Sequence, residues 1–176
     1  MLEGRHGSSR SLTILGTDDT RITELINDLL LLTRLEEKTE ATNTFAFDIR
    51  SLVDNLIDRL SLENPKGTAA LKSSPVDDLP TTLLMDATKL NRVLTIFIQN
   101  AIEKTASGVI DIHLFLDSGQ LNTEIRYHPE GNEASAELEA ITNPAKSSKA
   151  VSMAERIRFG VANRLAAVLG GRIDAR

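Results

Sequence analysis

The sequence has no cysteine and no tryptophan, and aromatic residues make up only 3% of it. Without cysteine there is no disulfide framework, no thiolate metal site and no cysteine nucleophile, and a reducing compartment fits. Long apolar runs are also missing. The four leucines Leu29–Leu32 sit inside an amphipathic pattern, far short of the ~18 residues that a membrane span needs. Nor is there an excess of positive charge: 20 basic residues against 25 acidic ones leave a net charge of −5. That balance excludes a general binder of nucleic-acid phosphates, which wants a basic face. The opening residues, MLEGRHGSS, lack the apolar stretch of a secretory signal, and residues 1–19 read as tag or linker. What remains is a soluble, acidic chain of 176 residues that is 41% hydrophobic, enough to bury a core.

Apolar periodicity supplies the elements. Ile22, Leu25, Ile26, Leu29, Leu30 and Leu35 follow the i, i+3, i+4, i+7 spacing of a helix face, with Asp18, Asp19 and Thr20 as N-cap candidates. Leu31 and Leu32 widen the stripe, which predicts burial against more than one neighbour. Thr39–Thr44 reads as a linker and Phe45–Phe47 as a short strand. Asp48 is expected to cap a helix carrying Ile49, Leu52, Val53, Leu56, Ile57 and Leu60, which the breaker cluster Asn64-Pro65-Lys66-Gly67 ends. Strands are expected at Ala69–Ser73 and Leu83–Met85, on either side of a loop from Pro75 to Pro80. Asp86 is expected to cap a third helix, with Leu90, Val93, Leu94, Phe97, Ile98, Ala101 and Ile102 inward and Gly108 as its stop. A hairpin follows, turning at Asp117–Gln120. The stretch from Asn132 to Lys149 is small and polar and reads as a loop. The last helix runs from about Ser152 to Leu169 and stops at Gly170-Gly171, and Arg172–Arg176 reads as the opening of a further strand. The order predicts a mixed sheet with helices on one face and an N-terminal helix outside it.

Four segments in this order resemble a bacterial sensor histidine kinase. Leu25–Glu36 (LINDLLLLTRLE) is similar to the second helix of the dimerisation and phosphotransfer hairpin. Phe47–Leu52 resembles the start of the ATP-binding domain, and Asp86–Thr105 the helix with the asparagine box. Phe159–Ile173 (FGVANRLAAVLGGRI) is similar to the helix after the ATP lid. The resemblance implies an α+β fold, a two-layer α/β sandwich of the histidine-kinase ATPase type with an N-terminal helix. Residues 20–44 would then be a remnant of the dimerisation helix and its linker, and residues 45–176 a degenerate ATP-binding-like domain.

The chain departs from the family's motifs at several positions. The resemblance implies two asparagines one helical turn apart; Asn100 matches the second, and Ile96 stands at the first. The basic residue expected three places after Asn100 is Glu103, with Lys104 beside it. The Asp-x-Gly-x-Gly box aligns with Tyr127, Pro129 and Gly131, exchanging the adenine-binding carboxylate for a phenol. The glycine-rich phosphate loop aligns with Arg156 and Arg158. The histidines His6, His113 and His128 lack the phosphoacceptor's sequence context.

These departures predict a catalytically inactive, pseudokinase-like scaffold of a two-component phosphorelay, not an enzyme. No cofactor, metal ion or membrane contact is expected. Asn100, Tyr127, Gly131, Arg156 and Arg158 would be vestigial site positions, and Leu25, Leu29, Leu32, Arg156 and Arg158 an interface. The partners implied are a response-regulator receiver, a phosphotransfer domain, a partner histidine kinase or a second copy of the chain. The expected location is cytoplasmic, including the cytoplasmic part of an inner-membrane protein. Two alternatives stay open: a histidine phosphotransferase with a degenerate ATP domain, and an atypical ATP-binding kinase using Arg156, Arg158 and Lys104. Charge is asymmetric along the chain. Ser152–Arg176 has five arginines against Glu155 and Asp174, whereas Glu24–Glu63 has nine acids against four bases.

Overall fold

The computed structural model describes residues 8–64, 69–75, 79–128, 141–142 and 151–175. Their elements run α1 (Ser8–Glu36), β1 (Phe45–Phe47), α2 (Ile49–Glu63), β2 (Ala69–Pro75), β3 (Leu83–Met85), α3 (Ala87–Lys104), β4 (Gly108–Asp117), β5 (Gln120–Arg126) and α4 (Met153–Val168).

Polar side chains fix the helix starts. The Asp48 carboxylate accepts the Arg50 amide at 2.9 Å and the Ser51 amide at 3.4 Å, which begins α2. Asp86 accepts the Lys89 amide at 3.0 Å and begins α3. Ser152 and Glu155 form a reciprocal capping box on α4. Between β4 and β5 the two turn residues, Ser118 and Gly119, both have positive φ (52° and 79°). That is the mirror-image turn whose twist matches a hairpin.

The strands form two sheets. β1 and β3 pair antiparallel, with Phe45 opposite Met85. In the other sheet β2 runs parallel to β4, from Ala69 opposite Gly108 to Pro75 opposite Leu114, and β5 pairs antiparallel on β4's far side. One face of β4 is sealed: Ile110, Ile112 and Leu114 have no exposed surface. Against it lie Val53, Leu56 and Leu60 of α2 and Leu90, Leu94 and Ile98 of α3. The opposite flank of α3 is buried too. Val93 and Ile96 join Leu35 of α1 and Phe159, Val161, Ala162 and Leu165 of α4, and the Phe97 and Phe159 rings stack at 5.8 Å. α3 is therefore the central rod, with the sheet and α2 on one side and α4 and α1 on the other. Each fully buried Leu, Ile or Phe stabilises this arrangement by about 1.5–3 kcal/mol relative to an exposed position.

Four expectations are corrected. α1 begins at Ser8, so Asp18–Thr20, expected as N-caps, lie inside the helix. The strands form two separate sheets rather than one. α3 stops at Lys104 with Thr105 as its C-cap; Gly108, at φ 117°, opens β4 instead of ending α3. Arg172–Ala175 pairs with no strand among the described residues; Ile173 and Ala175 pack onto the α1–α4 cluster. The breaker residues 65–68, positions 76–78 of the Pro75–Pro80 loop, and most of 132–150 lie outside the described residues.

Candidate functional site

The C-terminal turn of α3, the end of β5 and the first turns of α4 converge. Asn100 is 4% exposed, and its Nδ2 donates to the Tyr127 hydroxyl at 3.5 Å. Tyr127 leaves β5 and packs against the group of Ala69, Ala101 and Ile110. One turn before Asn100, Ile96 is 2% exposed within the cluster of Phe159 and Leu165. A carboxamide there would have to be buried among hydrocarbon, at a cost unless it found a partner.

The charges at this end form two pairs between helices. Lys104 Nζ lies 3.1 Å from Glu155 Oε1, and Arg158 Nη1 donates to Glu103 Oε1 at 3.4 Å. Glu155 also accepts the Ser152 amide at 2.9 Å. Burial pushes the Glu155 carboxyl up, but the hydrogen bonds from Ser152 and Lys104 outweigh it and hold the group below its ordinary value. Arg156, one turn into α4, is half-buried. Glu103, at first sight a repulsive charge toward an anion, is thus the counterion of Arg158. Lys104 and Arg158 are held by carboxylates that a phosphate could replace, because both ligands offer charge-assisted hydrogen bonds. Gly131 and Pro129 lie outside the described residues.

The stripe expected as one interface is divided. Leu32 packs inward, its Cδ2 3.7 Å from where a Cβ on Gly160 would stand, so Gly160 gives it room on α4. Leu25 is half-buried, whereas Leu29 is 51% exposed beside Ile22, Ile26 and Leu30. Arg158, expected at the same interface, is tied to Glu103 instead. His113 lies on β4 opposite Glu124, His128 is exposed after β5, and His6 falls outside the described residues. No group of three metal-ligating side chains occurs among the described residues.

Sequence reasoning missed a second polar group, at the other end of α3. Asp28 of α1 is 2% exposed and forms an ion pair with Arg92. Asp86 is 1% exposed; it accepts Lys89 Nζ at 2.9 Å and the Asn43 amide at 2.9 Å. Lys89 in turn donates to the Ala41 carbonyl. The linker after α1 is thereby pinned to the start of α3. The signal was present for Asp28, a lone acid at the spacing of Leu32 and Leu35 on the apolar stripe.

No family model matches the chain. It is 25% identical over 126 residues to histidine kinase 5 of Arabidopsis thaliana, an overlap of 68% of this chain and 14% of that protein. It is 28% identical over 126 residues to probable histidine kinase 4 of Oryza sativa subsp. japonica, covering 70% of this chain and 12% of that one. The chain thus spans about one-seventh of the length of these relatives, or less. Among solved structures, the Acinetobacter baumannii histidine kinase AdeS superposes with a TM-score of 0.69 at 17% identity, over 94% of this chain and 75% of that one. The catalytic domain of histidine kinase ThkA gives 0.58 at 18% identity, over 76% and 88%. The fold is that of the histidine-kinase ATPase domain, with an N-terminal helix. ThkA in complex with the response regulator protein TrrA gives 0.68 at 16% identity, over 99% of this chain and 49% of that one.

These likenesses overturn one expectation. The motif departures predict no enzyme, yet the proteins this chain is similar to are histidine kinases, which are enzymes. Motif matching treats Glu103 as a bare repulsive charge and has no place for its pairing with Arg158. No helix of the described residues is long and apolar enough to cross a membrane.

Proposed function

We propose that this chain is a histidine-kinase-like interaction module of a two-component phosphorelay, in which residues 20–44 serve as helix and linker and residues 45–176 as the ATP-binding-like domain. The module engages a response-regulator receiver in a cytoplasmic setting. The observation that carries the reading is the exposed apolar face of α1, formed by Ile22, Ile26, Leu29 and Leu30 at 51–58% exposure and set directly against a kinase-like domain. Contiguous apolar surface rimmed by charge marks a contact site, and the ThkA complex with TrrA supports a receiver as the occupant. A second copy, a phosphotransfer domain or a partner kinase would use the same face. The test is a titration of the chain with a panel of purified receiver domains, followed by calorimetry and sedimentation. Micromolar binding by one receiver, weakened at least about tenfold by Leu29→Glu (~1.4 kcal/mol), is the expected result. Silence across the panel, with self-association lost in Leu29→Glu, assigns the face to a second copy instead.

A second reading, as an atypical nucleotide-binding kinase, rests on Lys104 and Arg158, each paired with a carboxylate between the ends of α3 and α4, one turn beyond Asn100. Phosphate oxygens would take the places of Glu103 and Glu155 on the two cations. The Tyr127 phenol, lying against Asn100, does not supply the carboxylate that the adenine amino group wants. Calorimetry with magnesium-ATP up to millimolar concentration decides it: heat that Arg158→Ala abolishes supports the reading, and no heat removes it.

A further inference from the structure

The C-terminal half of α1 carries apolar residues on more than one side. Eight of the fourteen residues from Ile22 to Leu35 are leucine or isoleucine: Ile22, Leu25, Ile26, Leu29, Leu30, Leu31, Leu32 and Leu35. A helix of this kind is able to lie on its domain by more than one face, since burying either set of leucines gains similar hydrophobic free energy. The structure nevertheless has a definite inner face and a definite outer one. Leu35 is 5% exposed and Leu31 and Leu32 pack on the α4 cluster, while Ile22, Ile26, Leu29 and Leu30 are each more than half exposed.

The inner face contains one charge. At roughly 100° per residue, Asp28, Leu32 and Leu35 fall within about 60° of one another, and Ile22, Ile26, Leu29 and Leu30 lie about 100–160° from Asp28. The Asp28 carboxylate is 3% exposed and its partner, Arg92, is 36% exposed on α3. Arg92 follows the linker clamp by one turn, as Asp86, Lys89 and Arg92 lie at successive i+3 steps. Asp86 and Lys89 hold Asn43 and Ala41, so the same ridge of α3 grips both α1 and the chain that leaves it. Buried ion pairs contribute little net stability, and their best-attested use is to specify one register or orientation among several of similar energy.

We propose that the Asp28–Arg92 pair is an orientation lock that selects which apolar face of α1 lies on the domain and which is turned outward. Any rotation of α1 that brings Leu29 or Ile26 inward carries the carboxylate away from Arg92, toward solvent or hydrocarbon. The lock acts whatever molecule meets the outer face, so it stands apart from the proposed receiver contact.

The chain has no cysteine, which allows a direct test with single-cysteine variants of the full chain. Leu29→Cys and Leu32→Cys are labelled with a maleimide, alone and together with Asp28→Leu. With Asp28 present, Leu29→Cys is expected to react at least about tenfold faster than Leu32→Cys, because packed sites react only through local opening. With Asp28→Leu, Leu32→Cys speeds up and Leu29→Cys slows, a reciprocal change that only a shift of the packed face produces. Unchanged rates at both positions overturn the proposal. So does acceleration at Leu32→Cys alone, which reports undocking rather than a change of face. Circular dichroism checks that Asp28→Leu remains helical; if it does not fold, Arg92→Met removes the pair from the α3 side, and the same three readings apply.

Discussion

At the N-terminal end of α3, Asp86, Lys89 and Asp28 are sealed away at 1%, 7% and 2% exposure and each is held by a named partner, while Arg92, the partner of Asp28, reaches water at 36%. At the C-terminal end, about 27 Å along a helix of this length, the pairs Lys104–Glu155 and Glu103–Arg158 remain partly open to water. The same residue types thus perform two tasks on one helix. Buried pairs fix geometry and are costly to break, whereas open pairs cost little to exchange for another ligand. The first end positions α1 and its linker, and the second is the candidate site.

Asp86→Ala is expected to have the largest effect. It removes the α3 cap, frees the linker at Asn43 and leaves the Lys89 ammonium buried without its closest carboxylate. The expected loss is about 3–5 kcal/mol of stability by urea unfolding. A loss below about 1 kcal/mol would erase the distinction between the two ends. Acid titration probes the same group. Burial pushes the Asp86 carboxyl up, but the hydrogen bonds from the Lys89 side chain and from the Lys89 and Asn43 amides outweigh it, so its pKa lies below the ordinary carboxylate value. A group lowered on folding contributes stability that is present above its unfolded pKa of about 3.9 and lost as pH falls through the folded value. Melting temperature should therefore drop below about pH 4, and Asp86→Asn should flatten that part of the curve.

Much of the fold was legible because its signals are local. Asp48, Asp86 and Ser152 announce their helices as caps, and the alternation of Ile110, Ile112 and Leu114 announces a strand with one buried face. The α1 start was not legible, since residues 8–19 carry no apolar stripe of the kind that marks Ile22–Leu35. The inner and outer faces of α1 were not legible either. Leucines on more than one side make the periodicity ambiguous, and only the partner of Asp28, 64 positions away in sequence, decides it. The positions that the motif comparison singles out lie together in the structure, Asn100 with Tyr127 and the end of α3 with the start of α4. Its electrostatics were missed, because Glu103 looks repulsive until Arg158 is placed beside it.

Smaller effects sharpen the contrast. Ser152→Ala removes the α4 capping box and should cost about 1 kcal/mol, read as a shift in the urea midpoint. Glu103→Ala should change stability by no more than about 0.5 kcal/mol, as exposed pairs do. It should also raise the affinity for inorganic phosphate, if Arg158 is released to another anion; equilibrium dialysis measures that directly.

The comparison between the two ends is tested most directly by paired double-mutant cycles, one on Asp28–Arg92 and one on Glu103–Arg158, in the same buffer. The account predicts a coupling energy above about 1.5 kcal/mol for the buried pair and below about 0.5 kcal/mol for the open one. Equal couplings, or a larger one at Glu103–Arg158, would contradict the assignment of structural charge to one end of α3 and exchangeable charge to the other.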